Sequence, residues 1–436
     1  MGMRCIQCGA DNLLADRTRN NGHCKQCNHP FAFEPATVTD KKFAFTDPFF
    51  KKAIDDISSQ NILFFTPKQF LYFIDRRLKA KNSSGLAWIL VYFFLTVWGF
   101  FFFGAITGGS PVALLVLFSI FNLLWILTFF SGSESSQQSS RSRRANAINL
   151  QVLGILIAVV GIFISTVNGI FAGYIMSAIL AILSVWLGYF QRHRQQKIGE
   201  EFIVTAAMSA VWLQRWQSVN GEVEKLLPAP VQAALPASID PEVSAYSFDR
   251  AIVCDSDAIA QFLIANNVHF ENNCAILSIG GYPQNIFNTV IEMLRRNPDL
   301  KVYALHDASA IGVSLIYQLR SSSEWFANQA VTILDLGVSP RQILANRNLF
   351  VQKSEAMAQA ARQLPDAVRQ SLTAQEIAWL EAGNCVELES FTPQRLLRVV
   401  NYGLAQTDPQ SNDGLILVDD GAAYGGGYVF VSDSFG

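Results

Sequence analysis

Residues 85–130 read GLAWILVYFFLTVWGFFFFGAITGGSPVALLVLFSIFNLLWILTFF, with no Asp, Glu, Lys, Arg or His. Residues 145–190 are equally free of these five residue types. Each run is long enough for two helices of about 20 residues crossing a hydrocarbon layer about 30 Å thick. Thr107-Gly108-Gly109-Ser110-Pro111 breaks the first run, and Val167-Asn168-Gly169 breaks the second. Residues 131–146, rich in Ser and Gln, separate the two. The pattern predicts four transmembrane helices at 85–106, 112–130, 149–167 and 171–190. Residues 1–40 hold no apolar core run, so no secretory signal is expected.

The basic residues set an orientation. Arg76, Arg77, Lys79 and Lys81 precede the first span, and Arg141, Arg143 and Arg144 lie between the second and third. Arg192, Arg194 and Lys197 follow the fourth. All three clusters share one side only with four spans and both termini cytoplasmic, which implies a multi-pass protein of the plasma (inner) membrane. A transporter or channel usually keeps an ionisable residue within the membrane. These spans carry Ser, Thr and Asn instead, which suits an anchor or small bundle, with a transport component as the second alternative.

Outside the spans, charge is segregated. The chain of 436 residues is 50% hydrophobic and 16% charged, with a mean hydropathy of +0.24. Such values exclude a disordered protein. Residues 1–82 carry 13 Lys/Arg against 8 Asp/Glu, a net of +5. Residues 200–436 carry 14 against 26, a net of −12. A nucleic-acid enzyme normally presents a basic face, so nucleic acid is not an expected partner.

Four of the seven cysteines are paired near the N-terminus. Cys5-x2-Cys8 and Cys24-x2-Cys27 are separated by 15 residues, a spacing that suits a four-thiolate zinc site. Each pair forms a knuckle presenting two sulfurs, and two knuckles complete a tetrahedron. A segment of about 35 residues cannot bury enough core to fold alone, so metal would supply the folding energy. Four thiolates leave no open position, so the site reads as structural. His23 and His29 adjoin the second pair as substitute ligands. The pattern resembles the short zinc ribbons found at the ends of many bacterial membrane and regulatory proteins. Cys254, Cys274 and Cys385 are scattered in apolar settings, which suits a reducing compartment.

Residues 43–82 are amphipathic and aromatic. Asp47-Pro48 and Thr66-Pro67 begin two helices, with Thr66 as N-cap and Pro67 at the first helical position. After the spans, 191–227 is expected to continue as a helix, with Trp212 and Trp216 on one face. Pro228, Pro230, Pro236 and Pro241 then mark a linker.

From Ser247 short apolar strands alternate with helices. Strands are expected at 251–254, 274–279, 302–305 and 331–334. This pattern implies a mainly parallel sheet covered on both faces, with ligands at the carboxyl ends of the strands. Asp255, Asp257, His306 and Asp307 fall at those ends.

Three motifs carry a resemblance: Ile252-Val253-Cys254-Asp255, Gly281-Tyr282-Pro283, and Leu305-His306-Asp307-Ala308-Ser309-Ala310-Ile311-Gly312. Leu334-Asp335-Leu336-Gly337-Val338 and the run from Glu381 to Glu389 continue it. Together they resemble the Toprim domain, most closely the version in the A subunit of type IIB topoisomerases and related meiotic double-strand-break proteins, over about 248–402. The resemblance implies a magnesium centre built from a Glu and an Asp-x-Asp pair for phosphoryl transfer. Here Asp255 stands at the first acid and Ser309 at the third. The relatives also carry a winged helix with a nucleophilic tyrosine. Residues 200–247 are too short and proline-broken for one, and Tyr246 is their only tyrosine. Asp255-Ser256-Asp257 separately resembles the nucleophile motif of haloacid-dehalogenase phosphatases, although Ala258 and Ile259 depart from its continuation.

The expected architecture is multidomain: a zinc ribbon (1–35), an amphipathic helical linker (43–82), four transmembrane α-helices (85–190), a helical and Pro-rich linker (191–246), a Toprim-like α/β domain (248–405) and a Gly-rich tail (406–436). The expected function is a membrane-anchored cytoplasmic scaffold or sensor that does not cleave DNA and contacts a protein partner. Zinc is expected at Cys5, Cys8, Cys24 and Cys27. The alternative is a magnesium-dependent phosphoryl-transfer enzyme. It would use Asp255 and Asp307 as metal ligands, and its catalytic candidates are Asp255, Asp257 and Asp307.

Overall fold

The computed structural model describes residues 2–81, 87–106, 108, 110–194, 199–230, 248, 250–296, 300–327, 329–345 and 349–405. Pro236, Pro241, Tyr246 and the Gly-rich tail lie outside the described residues. The chain forms two compact units, Met1–Leu78 with Phe202–Gly436, and Lys79–Glu201.

The first unit begins with a hairpin of β1 (Met3–Arg4) and β2 (Asp11–Asn12), followed by α1 (Leu14–Arg19). Helices α2 (Asp47–Ile57) and α3 (Pro67–Lys81) start where the two proline signals place them. The Thr66 hydroxyl accepts from the Gln69 N–H at 3.1 Å, and the Gln69 side chain accepts from the Thr66 N–H at 3.0 Å. This reciprocal pair satisfies donors that a helix start leaves open. Buried Asp47 accepts from the N–H groups of Ala32 and Phe33 at 2.9 and 2.8 Å, joining the ribbon to α2. The apolar faces of α2 and α3 bury Phe50, Phe70 and Ile74 with Phe33 and Trp216. They pack against protein and belong to a core.

The second unit consists of α4 (Ala87–Ile106), α5 (Pro111–Glu134), α6 (Ser140–Asn168) and α7 (Phe171–Arg194). Three of these are long and apolar enough to cross a membrane: Val112–Glu134, Ser140–Asn168 and Phe171–His193. Four were expected; among the described residues three meet this length and apolarity. In α4 the apolar stretch of described residues is Trp88–Gly99, shorter than a span. Phe101, Phe163, Phe171 and Ile182 are 72, 68, 77 and 70% exposed, as lipid-facing side chains would be. Helices α6 and α7 approach closely through small residues. A Cβ on Gly161 would meet Ser177 Oγ at 2.0 Å, and one on Gly188 would meet the Ala147 carbonyl at 2.7 Å. The Ser/Gln segment is mostly helical: α5 runs to Glu134, and Ser139 caps α6 by accepting from the Ser142 N–H.

The helix expected to run on from the last span is interrupted. Helix α7 ends at Arg194, and α8 (Ala206–Asn220) starts afresh with Thr205 accepting from the Met208 N–H. Its Leu213 and Trp216 are buried with α2 and α3, so α8 is part of the first unit's core rather than a linker.

The α/β domain carries a parallel sheet in the order β4-β3-β5-β6: β3 (Arg250–Cys254), β4 (Cys274–Ser278), β5 (Lys301–Leu305) and β6 (Thr332–Asp335). Helices α9 (Asp257–Ala265), α10 (Val268–Glu271), α11 (Gln284–Arg296) and α12 (Leu315–Ser321) follow or link these strands. Alternate residues serve two cores. Ile252, Ile276 and Leu305 face one, while Val253, Leu277 and Ala304 face the other. A sheet buried on both faces explains the continuous apolar strands. Beyond it come α13 (Pro340–Ala345), α14 (Glu355–Arg362), α15 (Asp366–Ser371), α16 (Ala374–Glu381) and α17 (Pro393–Ala405). A two-stranded ladder of β7 (Gln352–Lys353) and β8 (Asn384–Cys385) leads to Val386, which pairs with Ala308. That bridge carries residues 387–389 to the carboxyl edge of the parallel sheet.

Candidate functional site

The Sγ atoms of Cys5, Cys8, Cys24 and Cys27 all lie within 4.8 Å of one another. Cys5–Cys27 and Cys8–Cys24 are each 3.6 Å apart. Zinc–sulfur bonds of about 2.3 Å in a tetrahedron require sulfurs about 3.8 Å apart, so the donor set fits such an ion. The knuckles follow from backbone bonds: Gly9 N–H to the Cys5 carbonyl with Gly9 at φ +75°, and Asn28 N–H to the Cys24 carbonyl. Burial works against the Cys24 thiolate. The N–H groups of Cys27 and Gln26 and the Asn12 amide outweigh it, holding the thiol at about 6. Neither neighbouring histidine joins the quartet. His29 Nε2 is 3.0 Å from Asn220 Oδ1, and His23 Nδ1 faces the Asn20 and Asn21 carbonyls.

The second cluster lies at the carboxyl edge of the sheet. Asp255 follows β3, and Asp307 follows β5. The Asp307 N–H donates to Asp255 Oδ2 at 2.7 Å, and Asp307 Oδ1 accepts from the Leu388 N–H at 2.6 Å. These two sequence candidates and residues 387–389 are therefore adjacent. Among the described residues, Asp255 Oδ1 is buried with no hydrogen-bond partner. Burial pushes the Asp255 carboxyl up. Burial and then the Asp255 carboxylate push Asp307 well up.

The remaining candidates turn to other partners. Asp257 sits in the first turn of α9 and accepts from the Ser278 hydroxyl at 2.5 Å. Ser309 accepts from the Gly312 N–H at 3.0 Å, closing a local turn. His306 is buried, with Nδ1 2.8 Å from the Asp307 carbonyl and Nε2 3.1 Å from Asp335 Oδ1. Both contacts are to acceptors, an arrangement that favours the doubly protonated imidazolium. Arg295 and Arg296 end α11, and their side chains lie outside the described residues.

The contacts of this edge with the start of α3 carry no local sequence signal. Glu387 Oε2 accepts from the Tyr72 hydroxyl at 2.6 Å and lies 2.8 Å from Lys68 Nζ. Glu389 Oε1 accepts from the Thr66 hydroxyl at 2.8 Å. Thr66, Lys68 and Tyr72 lie over three hundred residues earlier, at the start of α3. Only tertiary structure brings them here.

A four-stranded parallel sheet with acids after its first and third strands, crossed by a further acidic segment, defines a Toprim-like α/β domain. Residues 250–402 match the model of the family described as the Toprim domain of the topoisomerase 6 A subunit/Spo11. The similarity is that of this domain, and the ribbon and apolar helices stand outside it. A comparison with curated proteins found no match.

Proposed function

We propose that the chain is a membrane-anchored scaffold or sensor, with a structural zinc ribbon and a Toprim-like domain that binds a protein partner and does not cleave DNA. One observation carries the anchoring. Residues on both sides of the apolar region share a core: Phe50, Phe70 and Ile74 pack with Val204, Leu213 and Trp216. The Asn266 side chain also accepts from the Phe64 N–H and donates to the Phe64 carbonyl. A single core lies on one side of a bilayer, so the chain between its halves crosses an even number of times. With three helices long enough to span, α4 supplies the fourth crossing. The basic clusters at 76–81, 141–144 and 192–197 support a cytoplasmic position for this unit, with the helices in the plasma (inner) membrane.

Absence of cleavage is supported by Ser309, which offers a hydroxyl where the family's pattern has a carboxylate, and by the net charge of −12 over residues 200–436. Binding to phosphate backbones needs positive charge. Incubating the full chain with supercoiled DNA and magnesium tests this, and intact supercoils are expected.

A second reading keeps one observation in its favour. The buried, unpartnered Asp255 Oδ1 beside Asp307 is a place where a magnesium-dependent phosphoryl-transfer enzyme would hold its ion. Nicking abolished by Asp307→Ala would select it.

A further inference from the structure

Lys68 and Tyr72 are four residues apart on α3 and so share a face. Lys68 Nζ lies 2.8 Å from Glu387 Oε2 and 3.6 Å from Glu389 Oε2. Tyr72 donates to the same Glu387 oxygen and accepts from the Gln352 amide. Thr66 donates to Glu389. Three side chains from the start of one helix thus dock on two carboxylates. Burial disfavours the Lys68 ammonium, but Glu387, Glu389 and Asp307 outweigh it and hold its pKa above the usual lysine value. The ammonium therefore feels the whole acidic edge.

Crowded carboxylates in a partly buried site cannot all ionise without a cation. As the side chains stand, this edge does not bring three carboxylates close enough to share one ion. Among the described residues, the cysteine quartet is the one group of three or more His, Cys, Asp or Glu side chains with ligand atoms close enough to share an ion. Asp255 Oδ2 and Asp307 Oδ1 are already occupied by backbone N–H groups.

We propose that Lys68 is the resident cation of the acidic edge: its ammonium, set by Thr66 and Tyr72, stands in place of a divalent ion and latches α3 to the α/β domain. This rests on the reading that the domain is not a metal-dependent nuclease. A buried charge left without its partner is costly, so removing Lys68 strips the latch and frees the acids for another cation.

The test titrates Mn2+, as a paramagnetic stand-in for Mg2+, into the zinc-loaded full chain in detergent, read by the free-ion EPR signal and by thermal unfolding. The wild type is expected to leave the signal and the melting temperature unchanged. Lys68→Met is expected to melt lower and to bind Mn2+ at least about tenfold more tightly than wild type, with that binding lost on adding Glu387→Gln. Lys68→Arg, which keeps the charge, is expected to exclude Mn2+ as the wild type does, and decides the matter if Lys68→Met fails to fold. Wild-type or Lys68→Arg protein that binds Mn2+, or Lys68→Met protein that melts like wild type and binds none, would overturn the proposal. Mn2+ binding to wild type without DNA nicking removes the latch and leaves the scaffold reading standing. Nicking removes the scaffold reading itself.

Discussion

His306 Nε2 lies 3.1 Å from Asp335 Oδ1, while the opposite nitrogen faces the Asp307 carbonyl. The pair clamps the ends of β5 and β6 together beside Asp307. Burial opposes the charged ring, but the Asp335 carboxylate outweighs it and raises the His306 pKa to about 9. An unfolded histidine titrates near about 6.5. The folded pKa is the higher, so the stabilisation is complete below about pH 6.5 and is lost as pH rises through about 9. Denaturant melts of the full chain between pH 6 and pH 10 are expected to show this loss, and His306→Asn is expected to flatten it. A melt that strengthens with pH across this window contradicts the assignment.

Gly337 is part of the same clamp. A Cβ there would stand 2.4 Å from His306 Cδ2 and Nε2. Gly337→Ala is expected to displace the ring and destabilise the domain by about 1–3 kcal/mol, as overpacking does. Measured by the same melts, an unchanged midpoint would show that the ring is not held there.

Purified protein is expected to carry about one zinc per chain, because four thiolates close the tetrahedron. Cys24→Ser is expected to lose the metal and make residues 1–35 protease-sensitive, leaving the α/β domain folded. Metal analysis that finds no zinc in protein purified without chelator would dismiss the site.

Much of this is readable locally. The Cys spacing, the Thr66-Pro67 helix start and the four apolar strands each depend on neighbours within a few residues, and each appears where expected. The misreadings share a different origin. Thr205 looks like one polar residue in a continuing helix, yet it caps a new one. Ser and Gln at 131–146 suggest a loop, but both tolerate helix when Ser139 caps it. Glu387 and Glu389 stand out in the acidic run, but their pairing with Lys68 and Tyr72 spans over three hundred residues, and no periodicity announces it.

The close approach of α6 to α7 gives a prediction for the apolar unit. Gly161→Leu would drive a side chain into Ser177. The variant is expected to melt lower in detergent by an amount corresponding to about 1–3 kcal/mol. Wild-type stability would show that the two helices do not meet through these small residues.

On the proposed topology, reporters fused at residue 1, within 135–139 and at residue 436 are all expected on the cytoplasmic side. A reporter in the middle segment found outside removes the four-span topology.

The most direct measurement is a cleavage assay. Full-length protein in detergent is incubated with supercoiled DNA and magnesium, beside Asp307→Ala and Lys68→Met. The account predicts that supercoiled DNA stays intact with all three proteins. Magnesium-dependent nicking by the wild type that disappears in Asp307→Ala would contradict it, and would make the acidic edge a working phosphoryl-transfer centre.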